Sequence, residues 1–115
     1  MQQKQSNTHS VQLTGCGWVT AISSTAEGLF LCLRVVRSLN DGTQEQEWHL
    51  RCQVKEDSLC RWVMALPFYN IDSPSIELAF TVTDVMFCEQ FSSQGIDSVE
   101  IVLVMDAVLT KARRL

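Results

Sequence analysis

From Glu47 to Lys55 the chain alternates without a fault. Trp48, Leu50, Cys52 and Val54 fall on one side, His49, Arg51, Gln53 and Lys55 on the other. A period of two marks a strand with one face in a core and one in water. Four other segments keep a similar rhythm. Val11 to Ser23 is interrupted by Gly15-Cys16-Gly17, which predicts a bulge or a sharp coil in that strand. Leu29 to Leu39 sets Leu29, Leu31, Leu33 and Val35 on one face. Ile76 to Cys88 does the same with Ile76, Leu78, Phe80 and Val82, then slips phase near Asp84 so that Val85 and Phe87 follow. Val99 to Leu109 carries Val99, Ile101, Leu103, Met105 and Leu109 one way and Val102, Val104 and Val108 the other, as for a strand partly covered on both faces. Ala26-Glu27-Gly28 and Asn40-Asp41-Gly42 supply turns on either side of the second strand.

One stretch breaks the rule. Leu59, Trp62, Val63 and Leu66 recur at helical spacing, with Asp57 or Ser58 to cap the start and Pro67 to end it. The predicted class is therefore all-β with one short helix, in the order β-β-β-α-β-β. That is the order of a five-stranded OB-fold barrel, whose strand face and loops bind oligonucleotides or oligosaccharides. A glycine-kinked first strand suits this barrel, because it must bend to pair on both sides. An SH3-like barrel or a mixed α+β sandwich has a compatible order. The 115 residues fit one domain. Residues 1–10 read as a polar, flexible arm, 11–110 as the barrel and 111–115 as a short basic end.

A formal net charge of -4 argues against a protein that coats a polyanion by bulk charge, so any such partner requires positive charge gathered locally. The five cysteines, at 16, 32, 52, 60 and 88, are odd in number and nowhere spaced C-x-x-C. They read as buried thiols of a reduced cytoplasmic protein rather than as a disulfide framework. No charged start precedes an apolar run, and no uncharged apolar stretch reaches the roughly 18 residues of a membrane span, so no membrane association is expected.

Catalytic constellations are scarce. His9 lies in the arm, and His49 alternates onto a polar face with no acid or nucleophile at a telling spacing. Gly15-Cys16-Gly17 belongs to no phosphate-binding loop, and the cysteine spacings do not form the paired close ligands of a zinc site. The reading is non-enzymatic, with no cofactor and no metal. What remains is rings and cations, the two things single-stranded nucleic acid needs. Phe87 and Phe91 stand near the base of a long hairpin. Trp48 opens the third strand on the face of Leu50 and Cys52, so it serves either the core or a stacking platform. Arg34 and Arg37 on the second strand and Arg51 and Lys55 on the third can share a sheet surface if those strands pair, while Asp41, Glu45 and Glu47 gather at the turn. The same four cations can equally form cross-strand ion pairs on a solvated face.

Glu45-Gln46-Glu47-Trp48-His49, followed by a half-polar strand and a short helix, resembles the bacterial single-stranded DNA-binding protein family. Leu13-Thr14-Gly15 with Val19 is similar to that family's first strand, and Ile76 to Phe87, Gly95 and Val99 to Leu109 to its last hairpin. Leu13-Thr14-Gly15-Cys16-Gly17-Trp18, Phe30-Leu31-Cys32-Leu33 and Arg51-Cys52-Gln53-Val54 resemble small replication-associated proteins carried on integrating conjugative elements. The resemblance implies single-stranded DNA as partner, a mobile-element or plasmid setting for DNA replication or transfer, and a homo-dimer or homo-tetramer in which His49 sits at a subunit contact. It puts base stacking on Trp48 and Phe87. Two further stacking positions of the family fall near Arg37-Ser38 and on Val54, where there is no ring. The family's flexible linker and acidic tip have no counterpart before Leu115. The phosphate contacts fall to Arg34, Arg37, Arg51 and Lys55. The competing expectation is a protein-interaction module on the same barrel, its nucleic-acid face lost.

Overall fold

The computed structural model describes residues 12–39, 44–68, 72, 75–93 and 99–115, with backbone only for 37–39, 44–46, 88–93 and 99–103. The chain runs β1 (Leu13–Thr25), β2 (Gly28–Leu39), β3 (Gln44–Val54), α1 (Asp57–Met64), β4 (Glu77–Ser93) and β5 (Val99–Arg114). The strands close a barrel in the order β1-β2-β3-β5-β4. The β3–β5 pairing is parallel and the others are antiparallel. This is the OB-fold that the element order predicts. The 1–10 arm and the Asn40-Gly42 turn lie outside the described residues.

Closure depends on β1. It pairs with β4 from Leu13 to Trp18 and with β2 from Trp18 to Thr25, so Trp18 is held on both sides. The expectation of a bulge at Gly15-Cys16-Gly17 is corrected. The register shift lies between Val19 and Ala21. The glycines serve close approach instead. A Cβ on Gly15 would stand 3.2 Å from the Phe80 ring, and one on Gly17 would stand 3.1 Å from both the Arg34 carbonyl oxygen and the Val35 methyl. The bared backbone lets the Phe80 ring and the Arg34–Val35 segment approach β1 closely.

Leu31, Leu33, Leu50, Cys52, Leu78, Val82, Met105 and Leu109 fill the interior. They are the inward members of the alternating runs, so the period-two pattern and the core coincide. Helix α1 contributes Val63, fully buried, with Leu66 just past the helix and Leu59 and Trp62 packed beside it. Its cap differs from expectation. Glu56 holds the N-cap position without a side-chain cap, and the Ser58 hydroxyl donates to the Glu56 carboxylate. The helix ends at Met64, ahead of Pro67, where the Ala65 and Leu66 amides close the last turn.

The slip near Asp84 is present as a register shift between Thr83 and Met86, with Asp84 at φ 54°. The last two strands run further than their apolar pattern. β4 reaches Ser93 and β5 reaches Arg114, with Lys111 opposite Thr81 and Arg113 opposite Ala79. The ladder is held by backbone bonds, which charged side chains do not interrupt. Among the described residues no helix is long and apolar enough to cross a membrane.

Cys16, Cys32, Cys52 and Cys60 are free thiols. Burial pushes the Cys52 thiol from its ordinary 9.0 up to about 12. The folded chain therefore keeps a proton that the unfolded chain releases above pH 9. Stability should fall as pH rises through that window, with a limiting slope of about 1.4 kcal/mol per pH unit from this one group. Denaturant titrations of the parent and Cys52→Ala between pH 8 and pH 10.5 measure it. The parent's extra decline should vanish in the variant.

Candidate functional site

The sequence-predicted residues separate onto two surfaces. The first is the open end of the barrel. β1 covers β2 only as far as Arg34 and β4 only as far as Val82. Beyond those points the β2–β3 and β4–β5 hairpins continue without it, so the inward face opens to solvent. Trp48, opposite Val35, and Phe87, opposite Met105, stand at that lip. Their rings meet edge to face, with centroids 6.3 Å apart and planes at 73°. Trp48 is half-buried against the core, whereas Phe87 is 65% exposed. A cavity of about 450 Å3 lies here, lined in part by Leu13, Val35, Trp48 and Met105. The Trp48 indole N–H is buried and has no hydrogen-bond partner. Trp48 thus packs against the core while staying partly exposed.

The second surface is the outer face of β2 and β3. Arg34 stands opposite His49, and Arg51 opposite Cys32, so the two arginines are diagonal neighbours. Neither presents a bare charge. The Glu47 carboxylate accepts from Arg34 at 3.1 Å and lies 3.2 Å from the His49 Nε2. The Arg51 Nε and Nη2 donate to the two Asp106 oxygens at 2.9 and 3.1 Å. The Arg51 guanidinium also lies over the Phe30 ring, 5.4 Å from its centroid. These pairs are partly solvent-exposed, where an ion pair contributes about 0–1 kcal/mol, so a phosphate can compete for either arginine. Lys55 is exposed just past the end of β3, seven residues or about 23 Å from Trp48. Arg37 pairs with Gln46 in the ladder, but its side chain lies outside the described residues. Trp48 and the pair Arg34 and Arg51 therefore occupy opposite sides of one β2–β3 ribbon.

Two outer-face aromatics escaped the sequence reading. Trp18 is 37% exposed and stands beside Arg34 in the β1–β2 ladder. Phe30 forms the platform under Arg51. The signal was available: each alternates with inward neighbours, Trp18 with Gly17 and Val19, Phe30 with Leu29 and Leu31. The interrupted pattern of β1 concealed the phase of Trp18.

No family model and no curated protein sequence matches the chain. Its structure is similar to that of a small single-stranded DNA-binding protein from Streptomyces coelicolor, with a TM-score of 0.57 at 8% identity over 92% of this chain and 94% of that one. It is also similar to Rim1, a mitochondrial single-stranded DNA-binding protein from S. cerevisiae, with a TM-score of 0.50 at 8% identity over 92% and 95% of the two chains.

Proposed function

We propose that this chain is a non-enzymatic single-stranded DNA-binding protein, with bases stacked on Trp48 and Phe87 and phosphates drawn to Arg34, Arg37, Arg51 and Lys55. The observation that carries this is the exposed Phe87 ring set against Trp48 at the open end of an OB barrel. An exposed ring beside a second ring offers a face on which a base can stack. The shared fold with two single-stranded DNA-binding proteins supports the reading. A cytoplasmic role in replication or transfer of a mobile element, in a homo-dimer or homo-tetramer, is the fuller form of the proposal. One small barrel offers a short site, and assembly would lengthen it.

The ion pairs give a specific expectation. Asp106→Asn removes the negative charge and one of the two acceptor oxygens facing Arg51 while keeping the shape. Affinity for single-stranded DNA should rise a few-fold, and folding stability should change by under about 1 kcal/mol. Binding isotherms and thermal melts of parent and variant measure both. The same pairs favour a second reading, a protein-interaction barrel in which Arg34 and Arg51 are already paired. Gel shifts with single-stranded DNA, RNA and duplex at two salt concentrations decide between the readings. A salt-sensitive shift with single-stranded DNA supports the first, and no shift with any nucleic acid supports the second.

A further inference from the structure

A larger groove, about 760 Å3, lies where β1, β4 and β5 adjoin α1. The ladders order its floor into two rows. Thr14, Thr81 and Lys111 form one, and Cys16, Ala79 and Arg113 the other. The side chains on β1 and β4 are short, so the floor is shallow. Trp62 of α1 forms part of the wall. Lys111 and Arg113 are exposed and have no ion-pair partner among the described residues, in contrast to Arg34 and Arg51. They stand two residues apart on one strand, about 7 Å, a gap that neighbouring phosphates of an extended strand can span. Glu56 is the one acid among the groove's described lining, and Ser58 hydrogen-bonds it. Thr14, Gly15 and Cys16 line both this groove and the cavity below Trp48.

We propose that the bound single strand does not end at the Trp48–Phe87 lip. It crosses β1 at Gly15 and continues along this groove, with phosphates on Lys111 and Arg113 and a base against Trp62. The inference rests on the single-stranded DNA reading and adds a second contact region to it. Lys111 and Arg113 against Glu56, the single acid of the described lining, give the groove a net positive lining that suits a polyanion, and its continuity with the lip favours the same strand over a separate ligand.

The test uses the full chain with oligo-dT of about 6 and about 16 nucleotides, the shorter able to reach only one region. Cys16 is exposed in the groove and serves as a reporter through its alkylation rate, read by peptide mass spectrometry. The longer oligomer should slow Cys16 alkylation several-fold more than the shorter. Lys111→Gln with Arg113→Gln should lower the log–log salt slope for the longer oligomer by about 1.4 and leave the shorter unchanged. Both oligomers binding with no Cys16 protection and no change of slope overturns the groove while the lip reading stands. Protection of Cys16 by an acidic peptide but not by oligo-dT overturns it in favour of a protein partner. Failure of both oligomers to bind removes the nucleic-acid reading and the groove with it.

Discussion

Trp48→Ala is expected to lower both folding stability and affinity for single-stranded DNA. The indole packs against the core from its position opposite Val35. Removing a fully buried tryptophan costs about 3–5 kcal/mol, and this ring is half-buried, so about 2 kcal/mol is expected. The buried indole N–H has no partner, so its removal sacrifices no hydrogen bond and slightly offsets the loss. Affinity should drop roughly 5- to 150-fold, the equivalent of about 1–3 kcal/mol for a lost stacking contact. Trp48→Phe separates the two effects. It keeps a ring at the lip and most of the packing, so it should recover much of both. Chemical denaturation and oligo-dT binding, measured on both variants, check this. Wild-type affinity in a stable Trp48→Ala variant would assign the ring to the core alone.

Phe87→Ala should behave differently. Its ring is 65% exposed, so stability should move by no more than about 0.5 kcal/mol. Affinity should again drop roughly 5- to 150-fold. Because the two rings touch, the double variant should lose less than the sum of the single losses. Full additivity would mean that each ring meets its own base without reference to the other. An unchanged affinity in Phe87→Ala, with the fold intact, would remove the lip from the binding surface.

The contrast between these two residues shows what local pattern can and cannot carry. The alternation of β3 places Trp48 with Leu50 and Cys52, and it does pack with them. The phase slip at Asp84 places Phe87 on the face of Met105, because a bulge displaces the side-chain phase of one strand only. Strand order, the helix and the core were legible for the same reason: periodicity is local and survives without tertiary information. The ion partners were not legible. Asp106 meets Arg51 across the parallel β3–β5 pairing, 55 residues away, and nothing near either residue announces that register. Glu47 was read as a turn acid, yet it lies beside Arg34 and His49 on the outer face. The glycines of β1 disturbed the pattern, but their cause is Phe80 and the Arg34–Val35 backbone, which only the closed barrel brings near. The basic end joined β5 because strand pairing depends on backbone groups, which the side-chain pattern does not record.

The central claim is that the open end of this barrel stacks the bases of single-stranded DNA. It is tested most directly by titrating the chain with oligo-dT of about 16 nucleotides at about 50 mM and about 200 mM salt, following the fluorescence of its three tryptophans. The account predicts saturable quenching at the lower salt, weakened at the higher, and largely lost in Phe87→Ala. No quenching at either salt, together with an unshifted gel band, would contradict it.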